Sequence, residues 1–523
     1  MQDADRTVLT DGTIYDGTGG GPFSGDVFLH GDRIEAVVPR GERVRAGCRV
    51  ISIRGCAVCP GFVDAHAHSD LTLLADPKAE GKLQQGITTE ISGNCGQSFF
   101  PVTEFNREHL ERDCRNLGVD LDWSGADDYF RRVERVRPAV NCAFLCGHNT
   151  LRAAVSGYEN RPLTDPELSH MKELLRSALS AGAPGLSTGL IYVPGRFASR
   201  EELADLCSVL REFDALYATH MRSEGDGLLE ALDEALYLAR CGSGRLEVSH
   251  LKTALPRNWG KLDEVFRRIE SARAEGLHVT ADRYPWVHSQ TSLSIVLPGA
   301  YDSMTDAEIQ SRLSSSASEC AAVLPELEKR PRWDLVILSF TALPEYRELL
   351  GLPVPDAAAR AGLSPGAFVL DVLRRDGARA RGAFGGLSPE NMEKILLRDW
   401  VCCGTDESAR PFDGSLGRSH PRGFDSFPRF LELVRTRFGM AEAVRRVTSL
   451  PASVFRLKDR GVLAPGAYAD LVVLEPDAFR GTADFGDPHG PCRGLRQVWV
   501  NGVPAYGFDG MIRRAGRVCR AAR

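Results

Sequence analysis

An alternation limits the possible folds of this chain more than any other feature. Between residues 57 and 450, eight short apolar runs occur at 58–66, 88–93, 142–146, 185–190, 216–220, 246–250, 278–282 and 400–404. Amphipathic stretches lie between most of them, for example at 165–181, 199–213, 228–240 and 262–275. Runs of the first kind read as short buried strands, and the second kind, with apolar residues three and four apart, reads as helix. Eight strand-plus-helix units predict an α/β chain folded as a (β/α)8 barrel. The gap from 282 to 400 is too long for a plain loop and should carry its own structure. An inserted subdomain is therefore expected at 286–350, a stretch punctuated by Pro298, Pro325, Pro331 and Pro344.

Both chain ends read differently. Residues 1–56 show short strand patterns at 7–9, 13–15, 26–30, 33–38 and 49–53, separated by Gly-rich turns. The pattern returns at 469–474 and 497–500, the latter followed by Asn501-Gly502, a strong hairpin turn. Neither end has enough strands to bury a core alone. One small β-domain built from 1–56 and 451–523 is predicted, with the barrel of 57–450 folded between its halves. The 64 basic and 70 acidic side chains are well mixed, with a net charge of −6, so neither nucleic acid nor a membrane surface is expected as a partner. No 18-residue apolar run marks a transmembrane helix, and no apolar core behind the first six residues marks a signal peptide. Fourteen cysteines in 523 residues are too few for a disulfide scaffold, so a cytoplasmic protein with reduced thiols is expected.

The chemically unusual residues fall at the ends of the predicted strands. His66 and His68 end the first, Cys95 follows the second, His220 ends the fifth, His250 ends the sixth and Asp406 follows the eighth. If 62–68 is a strand, His66 and His68 point to one side with Asp64 beside them, an arrangement that suits a divalent transition metal such as zinc. A hydrogen-bonded core histidine, a small buried cysteine or a turn aspartate would account for any one of these residues alone. In a barrel, however, all six share the face where such folds place their active sites.

On these residues the chain resembles the amidohydrolase superfamily, in particular its D-aminoacylase (N-acyl-D-amino-acid deacylase) branch. The marks are Pro60-Gly61-Phe62-Val63-Asp64-Ala65-His66-Ala67-His68, Gly93-Asn94-Cys95-Gly96, Gly189-Leu190-Ile191-Tyr192, Ser249-His250-Leu251-Lys252, Asp282-Arg283-Tyr284-Pro285 and His420-Pro421-Arg422. The resemblance covers essentially the whole chain and implies the barrel, a split β-sandwich from both ends and an insertion after strand seven. It implies one tight zinc on Cys95, His220 and His250, and a second, weaker position on His66 and His68 that shares Cys95. Many amidohydrolases bridge two metals with a lysine after strand four. Here that strand reads Gly185-Leu186-Ser187-Thr188-Gly189-Leu190, and the thiolate of Cys95 would supply the missing anion. Asp406 becomes the general base that passes a proton from water to the leaving amine. Arg422, Lys252 and Tyr284 match positions that hold a substrate carboxylate, for which an Arg fork is well shaped. His148, at the end of strand three, would either support a ligand or touch substrate. The small-molecule partner implied is an N-acyl-D-amino acid, cleaved to a carboxylate and a free D-amino acid; no oligomeric state follows.

The chain departs from the branch in Gly404-Thr405-Asp406-Glu407-Ser408, in a longer span from Asp406 to Arg422, and in the bulky Phe99 and Phe100 after Cys95. These loops bear on the substrate's side chain or acyl group. Two other readings compete: a cyclic-amide hydrolase of the dihydropyrimidinase or dihydroorotase type, which the absent strand-four lysine disfavours, and a barrel that binds without catalysis, which would be expected to have lost ligands. A lone Cys56-x-x-Cys59 pair has no partner for a structural zinc, and the Arg-rich stretches 374–381 and 513–523 read as solvated surface.

Overall fold

The computed structural model describes residues 6–39, 47, 49–376, 379–507 and 511–521. Parts of the two Arg-rich stretches, at 377–378 and 522–523, lie outside the described residues. The fold is mixed α/β. Each of the eight apolar runs contains strand, and these strands form two parallel sheets. One sheet joins Phe62–Asp64, Ile87–Ser92 and Asn141–Phe144; the other runs from Cys146–Gly147 through Gly185–Gly189, Leu216–His220, Arg245–Val248 and His278–Arg283 to Val401–Cys403. The third run is interrupted only at Leu145, whose N–H donates to Ser92 O at 2.9 Å. At the other seam Ala65 N–H donates to Cys403 O at 3.2 Å and Asp406 N–H to His66 O at 2.8 Å. Most of these strands are buried along their whole length, as parallel strands covered on both faces should be.

The intervening helices begin where the side chains cap them. Asp165–Ala181 starts with a Thr164/Glu167 capping box and stops at Gly182, whose φ of 110° takes up the left-handed closing position. The stretch expected as one helix over 199–213 is Arg200–Ser208, capped by Ser199, followed by a tighter 3-10 segment Val209–Phe213.

The first apolar run is two strands, not one. Ala57–Pro60 pairs with Leu471–Leu474 and with Arg6–Ile14, whereas Phe62–Asp64 pairs with Ile87–Ser92. Gly61 is the crossing point: a Cβ there would lie 2.0 Å from Thr88 Oγ1. The strand also stops at Asp64, so His66 and His68 follow it instead of sitting within it. Their placement comes from the turn, where Asp64 Oδ1 accepts from His66 N–H at 3.2 Å.

The chain ends meet in one eight-stranded sheet, ordered Val503–Tyr506, Leu495–Val500, Leu471–Leu474, Ala57–Pro60, Arg6–Ile14, Phe23–His30 and Arg33–Pro39, with Arg49–Ser52 also on Arg6–Ile14. Asn501 and Gly502 both have positive φ, as a two-residue hairpin turn requires. A buried polar knot ties this sheet to the third strand: Asn501 Nδ2 donates to Asn141 Oδ1 at 2.7 Å, Asn141 Nδ2 donates to Asp470, and Arg460 pairs with Asp470.

The segment expected as an insertion packs a core of its own. That core runs from Leu293 to Ala380, and its antiparallel sheet of Ser289–Ser292, Arg381–Phe384 and Val336–Phe340 ends beyond residue 350. The helices Val354–Ala361 and Pro365–Arg375 give it their apolar faces, so this separately packed stretch reaches further than 286–350. No helix among the described residues is long and apolar enough to cross a membrane.

Beneath the first strand lies a fully buried lysine. Lys82 Nζ donates to Asp64 Oδ2 at 2.7 Å, Thr405 Oγ1 at 2.9 Å and Glu407 O at 2.9 Å, and sits 3.3 Å from Glu90. Burial pushes the Glu90 carboxyl up to about 7 despite this lysine. Removing the cation strands Asp64 without a counter-charge. Lys82→Met is therefore expected to lose about 3–5 kcal/mol in chemical denaturation; a loss under about 1 kcal/mol would show that the pair carries little weight.

Candidate metal centre

Cys95 is presented by a turn built from Gly93, Asn94, Cys95 and Gly96, in which Gly93, Cys95 and Gly96 all have positive φ. The fourth strand makes room for it. Ser187 Oγ donates to Gly93 O and accepts from Gly96 N–H at 3.0 Å, and a Cβ on Gly189 would stand 2.0 Å from Cys95 O. The small residues at the position where a lysine is absent are thus the bed on which the Cys95 turn lies.

Two imidazoles aim at the sulfur. His66 Nε2 is 3.4 Å and His250 Nε2 3.5 Å from Cys95 Sγ. Each ring is held from behind through its other nitrogen. His66 Nδ1 meets Asp282 Oδ2 at 3.0 Å, and His250 Nδ1 meets Glu224 Oε1 at 2.9 Å. Asp282 also accepts the His250 backbone N–H at 3.0 Å, so one carboxylate orients both histidines. His220 packs edge-on to His250, with ring centres 4.5 Å apart. It is buried, neither ring nitrogen has a hydrogen-bond partner, and Nε2 lies 3.6 Å from Glu224 Oε2.

His68, half-buried, meets Asp406 Oδ1 through Nε2 at 3.1 Å. Asp406 Oδ2 lies 2.8 Å from Arg422 Nη1. Donor atoms of His66, Cys95, His250 and Asp406 all fall within 4.8 Å of one another, and those of His220, Glu224 and His250 form a second such group. The five expected ligands and Asp406 therefore gather at one place, but the inner group pairs Cys95 with His66 and His250, while His220 keeps company with Glu224.

The electrostatics follow from this packing. Burial pushes the Cys95 thiol up, but His66 and His250 outweigh it and hold the thiol well below its usual range. Burial likewise raises Glu224, and Lys252, His220 and His250 pull it well down. For Asp406, burial is outweighed by Arg422 and His250. Cys95, His250 and Asp406 also share a left-handed backbone, with φ of 53°, 37° and 50°, an unfavourable state for side-chain-bearing residues that often marks functional sites.

The remaining expected residues divide. Arg422 is buried, with its Cζ 4.6 Å from the centre of the fully buried Tyr284 ring, and its backbone N–H donates to His420 Nδ1. Lys252 Nζ binds Glu224 Oε1 at 2.5 Å and approaches His250 Nδ1 at 2.9 Å, so it serves the group behind His250. His148 begins the helix His148–Ser156, and Nε2 lies 3.6 Å from Glu202, which also takes Arg152 Nε at 3.1 Å; that carboxylate, not Cys95, is its polar neighbour. Glu224 and Lys82 escaped sequence reasoning, and Asp282 entered it only as part of the Asp282-Arg283-Tyr284-Pro285 motif, with no role of its own. For Glu224 the available signal was a carboxylate four residues after a histidine at a strand end.

Residues 49–282 and 376–506 match the model of the Amidohydrolase family. The N-acyl-D-glutamate deacylase of Alcaligenes xylosoxydans xylosoxydans is 32% identical over 99% of this chain and 97% of its own length. The D-aminoacylase of the same organism is 31% identical over 98% and 96%. The crystal structure of N-acyl-D-glutamate deacylase from Bordetella bronchiseptica, complexed with zinc and a phosphonate inhibitor that mimics the tetrahedral intermediate, superposes with a TM-score of 0.81 at 31% identity, covering 98% of this chain and 99% of that one. With its thiolate–imidazole cluster and matches of this extent, the chain belongs to the amidohydrolase family.

Proposed function

We propose that this chain is a zinc-dependent hydrolase that cleaves the amide bond of N-acyl-D-amino acids. The observation that carries the reading is the convergence of His66 Nε2 and His250 Nε2 on Cys95 Sγ, with Asp406 alongside. A thiolate with imidazoles is a donor set that zinc prefers. The fit extends to His220, a buried ring with both nitrogens unpartnered beside this set. Cys95, His220 and His250 would hold one zinc, and His66 and His68 a second position that shares Cys95. Asp282 and Glu224 supply the outer carboxylates that fix ring orientation and tautomer in such sites. Zinc, when bound, supplies Lewis acidity toward the amide carbonyl and the attacking water.

Asp406 is the proton carrier. Its carboxylate, kept ionised by Arg422, takes a proton from water and delivers it to the leaving nitrogen. Its left-handed backbone and its N–H bond to His66 O aim it back over the cluster. Arg422 has a further role: Nη1 is on Asp406, while Nε is buried without a hydrogen-bond partner, as is the hydroxyl of Tyr284, whose ring centre lies 4.6 Å from Arg422 Cζ. These donors suit the free carboxylate of the substrate. A carboxylate fixed at Arg422 and a carbonyl fixed at the cluster leave one enantiomer's side chain directed at a wall. The salt bridge from Lys252 to Glu224 supports a holding role for that lysine, and His148 a structural one beside Glu202.

We read the two parallel sheets as one closed (β/α)8 barrel of residues 57–450, a reading supported by the hydrogen bonds at both seams. The ends 1–56 and 451–523 then form the β-sandwich, supported by a shared core containing Leu9, Val27, Leu471 and Trp499. The thirteen described cysteines are free, which supports a reducing, cytoplasmic setting.

A panel of N-acetyl-D- and N-acetyl-L-amino acids tests the reading. Turnover of D-substrates alone, lost on chelation and restored by zinc, is expected; turnover of only cyclic amides or L-substrates would overturn it. Asp406→Asn should keep its zinc and lose about 10²–10⁴-fold in kcat; unaltered turnover would remove it from the reaction. Glu224→Gln should weaken zinc binding about 10–100-fold in competition with a chromogenic chelator, and an unchanged affinity would show that it does not support the ligand histidine.

A further inference from the structure

A second site lies beside the proposed carboxylate-binding group. Arg283, the last residue of His278–Arg283, is 1% exposed. Its Nη2 donates to Trp286 O at 2.9 Å, but Nε and Nη1 are buried and have no partner. No carboxylate among the described residues pairs with it. A guanidinium cannot shed its proton at any ordinary pH, so its burial must be offset by a negative charge.

Arg283 lines a cavity of about 10 Å3, space for one water-sized occupant, together with Lys252, Thr253, Ser388 and Asn391. Most of the polar wall favours an anion, the exception being Asn391, whose amide N–H groups are taken by Thr253 Oγ1 and Trp259 O. Lys252 is a second cation, and its carboxylate partner Glu224 is already shared with His250. Thr253 Oγ1 accepts from Asn391 Nδ2 at 2.9 Å, which leaves its own proton to donate. Ser388 and Asn391 form the first turn of Pro389–Leu396, where the helix end is positive. Space for one water-sized occupant favours a monatomic anion over a carboxylate or a phosphate. A water would satisfy the donors but leave the charge uncompensated.

We infer that this cavity is a buried halide site, with Arg283 as counter-ion and the Thr253 hydroxyl as a further donor to a chloride-class anion. The anion lets the guanidinium remain stacked on Tyr284, 4.1 Å from Cζ to ring centre. The inference stands on the charge balance of the cavity and does not depend on the deacylase reading.

The test uses the zinc-loaded full chain. Crystals grown without halide and soaked in sodium bromide should show an anomalous peak in contact with the Arg283 guanidinium. In thermal melts at matched ionic strength, replacing gluconate with chloride or bromide should raise the Tm saturably. Arg283→Met should lose that rise and should melt in gluconate no lower than the wild type, because the unpaired charge has gone. Thr253→Val should weaken the halide response while keeping the guanidinium. Absence of the bromide peak, bromide at exposed positions as an adventitious ion only, or a halide response retained in Arg283→Met would overturn the inference and leave a water in the cavity.

Discussion

The arrangement at the centre of this molecule depends on one buried carboxylate. Asp282 takes His66 Nδ1 with one oxygen and the His250 backbone N–H with the other. Two histidines that are 184 positions apart in the chain are thereby fixed in a common frame, each with Nε2 directed at Cys95. A carboxylate in this position is costly unless both oxygens are satisfied. Here they are, and the same two bonds that offset its burial orient the two rings. Gly404 accommodates it: a Cβ there would stand 2.7 Å from Asp282 Oδ1 and 2.6 Å from His66 Cβ.

Around that frame the chain accepts local strain in return for direction. A strand carries its side chains alternately to its two faces, so a residue at the last rung points out of the sheet plane and not along the strand. Bending the backbone into the left-handed region at Cys95, His250 and Asp406 turns those side chains toward a common centre. Each bend costs of order 1–3 kcal/mol. Fixed contacts resist its relaxation: Ser187 on either side of the Cys95 turn, Asp282 at His250 N, and His66 O at Asp406 N.

This division explains what could be read from the chain alone. The buried parallel strands were legible to within a few residues, since apolar runs bounded by turns have few alternatives; 216–220 is the strand Leu216–His220. The histidines, Cys95 and Asp406 were legible because such residues stand out at strand ends. Glu224 and Lys82 were not, nor was the role of Asp282 within its motif: carboxylates and lysines are common, and their value lies in contacts across long sequence separations that periodicity does not encode. The far limit of the second core was hidden for a related reason. Val354–Ala361 and Pro365–Arg375 are amphipathic like the helices between the parallel strands, and amphipathicity says that a face is buried without saying against which core. The split of the first run at Gly61 was equally silent, because both halves are apolar and only pairing separates them.

The charges of the site are arranged by the same logic. Asp406, Glu224 and Asp282 bring negative charge to the pocket along with the thiolate of Cys95, while Arg422 and Lys252 are the cations in contact with them. Arg422 touches Asp406, with Glu407 3.9 Å from its Nε, and Lys252 touches Glu224; neither cation forms an ion pair with Asp282 among the described residues. The histidines are left to meet the remaining negative charge, which holds His66 well above its ordinary range despite burial. A pocket of this composition, with neutral imidazoles, has an excess of negative charge that a divalent cation would relieve. Binding such a cation would displace protons from the rings and free the same nitrogen lone pairs for ligation, so metal affinity and protonation are two descriptions of one equilibrium. Arg422, 2.8 Å from Asp406 Oδ2, offsets the charge of one carboxylate of that group and helps to hold it ionised despite burial.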